Sequence, residues 1–295
     1  MAQDLLQKYR MSSVLIKLIV INAIVFFVFY LGAFFLQIDE SSMKTYLKLP
    51  LEAWDFLLQP WTFFTYAFLH DGFWHIFWNM LILYWFGNIV LNLFKQRTLL
   101  TLYLLGGVAG GLMCVLAFNL LPAFAKYTGG GSLEGASAAV FAVMVFIATY
   151  NPNAEMRVFM FNIKLWQIAA FFVLKDLIAL PASNNAGGLM AHMGGALFGY
   201  VYAKQLAKGN NIGAGFERVM DSLVGYFTPR KKRPFKKVHR NPGRGYSAKG
   251  KSTVETKDEK QKKVDAILDK ISKSGYESLS KAEKDYLFKA GNDSN

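Results

Sequence analysis

The sequence predicts an all-α membrane protein, a bundle of six transmembrane helices followed by a small helical tail. Three observations carry that reading. Apolar runs near the roughly twenty residues that a helix needs to cross a bilayer recur between Leu15 and Leu206. The chain is 53% hydrophobic and 16% aromatic. Charged residues make up 18%, against about 25% in average soluble domains, and most of them gather after the last apolar run.

The first run, Leu15–Leu36, is broken only by Lys17. It is too long for a secretory signal and lacks the small-residue exit of a cleaved one, so it reads as the first span. Five more follow: Phe73–Leu91, Leu99–Leu121, Gly135–Tyr150, Leu165–Leu180 and Gly188–Leu206. The connections are short except for Gln37–Gly72. That segment carries Trp54, Trp61 and many Phe and Tyr, amphipathic rings that favour the membrane interface, so it is expected to lie on the bilayer. The membrane domain is thus placed at residues 1–206. Its fourth helix, at about 1.5 Å per residue, reaches only about 24 Å. One end must start inside the bilayer, and the glycine-rich stretch Gly129–Gly135 supplies the dip. Irregular backbone at that depth must border protein or a water-filled cavity, which sets Ser137 beside water near one surface.

Lys and Arg give the orientation. Lys8, Arg10, Lys95, Arg97, Arg157, Lys164, Lys204 and Lys208 fall on one side together with the basic tail. Lys44, Lys48 and Lys126 fall on the other. By the positive-inside rule both termini are expected in the cytoplasm. The single cysteine, Cys114, lies in an apolar run. It excludes an internal disulfide and any cysteine-based metal framework.

Of the four histidines, His75 and His192 lie within spans, where ionisable groups are costly and usually functional. His75 and Asn79 are four residues apart and share one helix face. Ser137 opens the fourth helix, with Phe141 one turn below it. His192 lies near the start of the sixth, followed by Gly195 and Gly199. The second, fourth and sixth helices run in one direction, and each carries its polar residue within its first two turns, so His75, Ser137 and His192 share one depth. The set fits acyl transfer. A serine hydroxyl needs an adjacent base, and His192 is the histidine not already paired with an amide side chain. The oxyanion needs preorganised donors, available from His75, Asn79 and the Ser137 N–H at the positive end of a helix dipole. No acidic residue is placed to orient His192, which implies a dyad, with Phe141 stacking on the ring. Gly195 and Gly199 allow close helix approach, bringing His192 to Ser137.

Each residue has a blander reading. Ser137 caps its helix, His192 makes an interhelical hydrogen bond, and His75 with Asn79 forms a structural clamp. Lys175-Asp176 reads as a snorkelling pair at the interface. A metal site on His70, His75 and His192 is disfavoured, because five residues separate the first two and no carboxylate completes the set. No metal or cofactor is expected.

His70…His75-x-x-x-Asn79, Gly135-x-Ser137 and Ala191-His192-x-x-Gly195-x-x-x-Gly199, in that order, resemble the rhomboid intramembrane serine proteases over about residues 10–206. The long first loop matches too, and Pro60-Trp61-Thr62 stands where the family often has Trp-Arg. The resemblance implies a six-helix rhomboid-like bundle. It further implies a serine endopeptidase that cleaves transmembrane segments of membrane proteins, with Ser137 as nucleophile, His192 as base and no cofactor. It also points to a bacterial inner membrane. The sequence departs from the family at Ala138, where Gly-x-Ser-Gly is usual, and at Phe141, where a Tyr often stands. A catalytically inactive relative that binds transmembrane helices is the alternative, although such proteins typically lack the serine or the histidine.

Residues 207–263 read as a basic linker. From Arg230 to Lys263 lysine and arginine far outnumber acids, and Pro234, Pro242 and several glycines oppose a helix. Beside a membrane such a run binds anionic lipid head groups. Nucleic acid is not expected, since no aromatic or fold feature supports it. In residues 264–295, Val264, Ile267, Leu268 and Ile271 follow helical spacing, and Ser280-Lys281-Ala282-Glu283 reads as a capping box. These short helices resemble the appendix on some bacterial rhomboids, with a docking or dimerisation role expected.

Overall fold

The computed structural model describes residues 2–127, 131–158, 160–227 and 257–292. The chain divides into two compact units, Met1–Lys231 and Lys232–Asn295.

In the first unit a short helix, Ala2–Met11, precedes six main helices: α1 (Val14–Leu36), α2 (Phe73–Leu93), α3 (Gln96–Leu120), α4 (Ser137–Tyr150), α5 (Leu165–Ala179) and α6 (Ala186–Ala207). Their ends follow local chemistry. The Ser13 hydroxyl accepts the Ile16 N–H at the start of α1, and Gln37 closes that helix in the left-handed conformation. Asn185 caps α6 by accepting the Gly188 N–H at 3.1 Å. α4 is the hub. Every residue from Ala138 to Ala148 is buried, and the helix packs against α2, α3, α5 and α6. A helix apolar all round belongs in an interior, which is why α4 is both short and without a polar face.

Among the described residues, four helical stretches are long and apolar enough to cross a membrane: Val14–Leu36, Phe73–Leu93, Gln96–Leu120 and Leu165–Ala182. Six spans were expected. α4 falls short at 14 residues. α6 has 22 residues, but Gly188, His192, Gly194, Gly195, Gly199, Lys204 and Gln205 dilute its apolar character. The glycines have a packing reason. A Cβ on Gly195 would strike the Ala138 carbonyl, with the Ala138 carbonyl carbon 2.8 Å away, and one on Gly199 would strike the Ala142 carbonyl. α6 therefore lies backbone to backbone on α4, as small residues permit.

The fold is not purely helical. In the segment between α1 and α2, β1 (Leu49–Pro50) pairs antiparallel with β2 (Ser132–Leu133), Leu49 opposite Leu133. Between α4 and α5, β3 (Glu155–Val158) pairs with β4 (Phe161–Lys164). The β1–β2 ladder ties the long first connection to the chain just before Ser137. Lys44 strengthens that tie. Expected in an outer loop, it is only 3% exposed, because its ammonium is fully used. It pairs with Glu40, lies 3.5 Å from Glu134 and donates to the His70 carbonyl at 2.6 Å. Lys48 holds the other Glu134 oxygen at 3.0 Å. A buried charge persists only when paired. Trp61 also fastens this segment, its indole N–H donating to the Tyr46 carbonyl at 2.8 Å.

After α6, the stretch assigned to the linker contains a helix, α7 (Ala214–Phe227), joined to α3 by Arg97–Asp221 at 2.8 Å. Residues 228–256, with most of the expected basic linker and His239, lie outside the described residues. In the second unit α8 (Lys257–Ser274) begins before Val264, and α9 (Lys281–Asn292) follows a turn at Gly275. The capping box is formed: the Glu283 N–H donates to Ser280 Oγ at 3.3 Å and the Ser280 N–H to Glu283 Oε2 at 2.7 Å. Lys270 of α8 reaches the same carboxylate at 2.9 Å.

Candidate active site

The site is built where the first turns of α2, α4 and α6 meet. Gly135, just before α4, has φ +133°, a region that L side chains rarely adopt. Its N–H donates to the Tyr66 carbonyl at 3.0 Å. A Cβ there would lie 2.8 Å from His75 Nε2 and 3.7 Å from Ser137 Oγ, so the bare glycine lets the imidazole of α2 approach the start of α4. Ser137 is the first residue of α4. The cap position is Ala136, and no side chain caps the helix. The serine hydroxyl is therefore not spent on capping, and the first N–H groups of α4 have no intrahelical acceptor.

On α2, Asn79 Nδ2 donates to the His75 carbonyl at 2.9 Å and His75 Nδ1 accepts the Asp71 N–H at 3.3 Å. The expected pairing of the His75 ring with an amide side chain is absent. In a neutral imidazole an accepting Nδ1 leaves Nε2 as the donor, and Nε2 is the nitrogen beside Gly135.

On α6, the His192 ring stacks on Phe141 with centroids 4.2 Å apart and planes 14° from parallel. The residue that sequence reasoning missed is Asp176. Its Oδ2 lies 2.5 Å from His192 Nδ1, its Oδ1 2.8 Å from Lys175 Nζ, and its side chain is 0% exposed. The expectation that no acid stands beside His192 is corrected here. α5 packs on both α4 and α6, and Asp176 faces inward from it rather than snorkelling. A carboxylate in an apolar helix was itself the available signal.

These side chains line one cavity of about 440 Å³. Its polar lining includes His75, Asn79, Glu134, Ser137, Lys175, Asp176, Asn185 and His192, and its apolar lining includes Trp78, Val140, Phe141, Met144 and Phe172. No hydrogen bond joins Ser137 Oγ to His192 in the chain alone; catalytic contacts are commonly looser without substrate. Gly195 and Gly199 stay outside the cavity and set the approach of α6 to α4. Ala138 does not crowd the cavity, because its methyl packs directly against Gly110 of α3.

His70, just before α2, is fully buried, with its ring centroid 5.1 Å from that of His75. Burial, and secondly the His75 ring, push it from 6.5 down to about 3. Above pH 6.5 both folded and unfolded chains hold it neutral. Below that the unfolded chain takes up a proton the folded chain refuses, so stability falls as the pH drops, by on the order of 1 kcal/mol per pH unit at most. Thermal melting in detergent against pH is expected to show this acid slope in wild type, reduced by one proton in His70→Phe.

A family model described as a rhomboid domain matches residues 57–209, and one described as a family of unknown function (DUF6576) matches residues 252–289. Among curated proteins, the chain is 30% identical over 151 residues to "Rhomboid protein 1, mitochondrial" of Saccharomyces cerevisiae, covering 48% of this chain and 40% of that protein. It is 28% identical over 157 residues to "RHOMBOID-like protein 12, mitochondrial" of Arabidopsis thaliana, covering 50% and 47%. It is 29% identical over 143 residues to "Presenilin-associated rhomboid-like protein, mitochondrial" of Homo sapiens, covering 46% and 35%. The chain thus spans less than half the length of these relatives. They are mitochondrial by name, which overturns the expectation of a bacterial inner membrane and leaves the bacterial type without support. The rhomboid domain model takes in α2 through α6, every residue of the cavity and just over half of the sequence: the chain belongs to the rhomboid family.

Proposed function

We propose that this chain is an intramembrane serine endopeptidase acting on transmembrane segments of other membrane proteins. The observation that carries the reading is the single cavity shared by Ser137, His192, His75 and Asn79. In this scheme Ser137 Oγ attacks the substrate carbonyl carbon as His192 takes its proton. The oxyanion is held by His75 Nε2–H, the Asn79 amide and the Ser137 N–H. Collapse breaks the C–N bond, and His192 returns the proton to the leaving amine. Water, deprotonated by His192, then cleaves the acyl ester and frees Ser137. The chemistry uses only side chains of this chain and water. α1 to α6 all lie within the bilayer in this reading, with α4 enclosed by the others, so a substrate helix must unwind to present its backbone to the cavity. The basic run Arg230–Lys263 holds anionic lipid head groups.

A fluorophosphonate probe tests the nucleophile without any knowledge of the substrate. Wild-type protein in detergent is expected to be labelled at Ser137, with labelling lost in Ser137→Ala and slowed in His192→Ala. Labelling that persists in a folded Ser137→Ala protein would contradict the assignment.

A further inference from the structure

We propose that Asp176 is the positioning acid of this site, accepting the Nδ1–H of His192 and so holding the imidazole with Nε2 free to serve Ser137. The inference rests on the reading of Ser137 and His192 as nucleophile and base, and it makes the constellation a triad rather than a dyad. A carboxylate beside an imidazole only accepts, so the 2.5 Å contact between Asp176 Oδ2 and His192 Nδ1 puts the ring proton on Nδ1. The remaining nitrogen, Nε2, is then the one able to take a proton from a hydroxyl, as triad geometry requires.

Two further contacts support the arrangement. Phe141 lies flat against the ring at 4.2 Å and prevents it from tipping, while the acid prevents it from rotating in its own plane. Lys175 lies 2.8 Å from the second carboxylate oxygen and favours the ionised, accepting form of Asp176. When His192 takes up the serine proton it becomes a cation in a site of low polarity, and the adjacent carboxylate offsets that charge. The other charged or titratable groups lining the cavity are Lys175 of α5, Glu134 ahead of α4 and His75 of α2. Glu134 is already engaged by Lys44 and Lys48, which leaves Asp176 as the carboxylate in contact with His192.

A purely structural bond between α5 and α6 would need the same contact and the same Nδ1–H tautomer but would have no effect on turnover beyond stability, so the tautomer tests the hydrogen bond and turnover tests the role. The test is therefore twofold, on the full chain in detergent. In wild-type protein labelled with 15N-histidine, the His192 signals are identified by their loss in His192→Gln; the chain has only four histidines to resolve. Nδ1 is expected to carry the proton, and Nε2 to be bare. The opposite tautomer overturns the proposal, whether or not any variant folds. In Asp176→Asn, kcat for a cleaved transmembrane substrate is expected to fall about 10²- to 10⁴-fold with KM nearly unchanged. A folded Asp176→Asn protein with wild-type kcat, alongside inactive Ser137→Ala, overturns the positioning role and leaves the serine protease reading standing. Full activity in Ser137→Ala strikes the protease reading instead, and the tautomer measurement still reports on Asp176 separately.

Discussion

Gly195→Ala is expected to lose both stability and activity, although it adds a single methyl group. The new Cβ would meet the Ala138 carbonyl oxygen and lie 2.8 Å from its carbonyl carbon. These are backbone atoms of a buried helix, so no side chain can swing aside. Overpacking of this kind costs typically 1–3 kcal/mol, and the upper end applies where backbone must move. The displaced segment carries Ser137 at its start, and α6 carries His192 one turn before Gly195, so the two reactive groups are pushed apart as well. Gly187→Ala, in the same helix, is the control. Its Cβ meets only Cys114 Sγ at 3.6 Å, Leu51 at 3.7 Å and Phe118 at 3.7 Å, which is ordinary contact. Alanine is favoured over glycine in helices by up to about 1 kcal/mol, so Gly187→Ala is expected to melt at or above the wild-type temperature. Melting curves in detergent for the two variants separate close packing at one position from a general intolerance of α6 to alanine.

The second large effect concerns the oxyanion. Asn79→Ala is expected to lower kcat by about 10²–10³, as removal of one oxyanion donor does elsewhere, with little change in KM. Asn79 spends one amide hydrogen on the His75 carbonyl and has another donor to offer the cavity. His75→Ala is expected to match or exceed that loss, because Nε2 lies nearest the Gly135–Ser137 turn. Both measurements are steady-state cleavage kinetics. An unchanged kcat in both variants would remove these residues from the oxyanion role and leave only the N–H groups of α4 for it.

Much of this arrangement is readable from spacing. The i, i+4 pairs His75/Asn79 and Gly195/Gly199 declare shared helix faces. The capping box Ser280–Glu283 marks the start of α9 to the residue, because two reciprocal hydrogen bonds need that spacing. What escapes is set by partners distant in sequence. Asp176 adjoins Lys175, and a neighbouring opposite charge in a span reads as a self-contained surface pair; only the packing of α5 against α6 turns the carboxylate toward His192. Lys44 reads as an exposed loop charge because its partners Glu134 and the His70 carbonyl come from separate connections. The two-residue strands β1 and β2 are too short to show alternation. α7 hides beside the basic run at Arg230, although Phe216, Val219, Met220 and Leu223 recur at helical spacing. Two of the six expected spans, α4 and α6, are not among the described helices long and apolar enough to cross a membrane by length and composition alone. α4 is short and buried along its length, and α6 has glycines in place of apolar side chains where it packs on α4 while Leu197, Tyr200 and Val201 stay exposed.

The most direct measurement is cleavage of a fluorescent transmembrane substrate in detergent by wild type, Ser137→Ala and His192→Ala, with folding of each checked by thermal melting. The expected result is cleavage by wild type and its loss in both folded variants. Undiminished cleavage by either folded variant would contradict the assignment of nucleophile and base, and a wild-type protein inert toward a panel of such substrates would favour a rhomboid that binds transmembrane helices without cutting them.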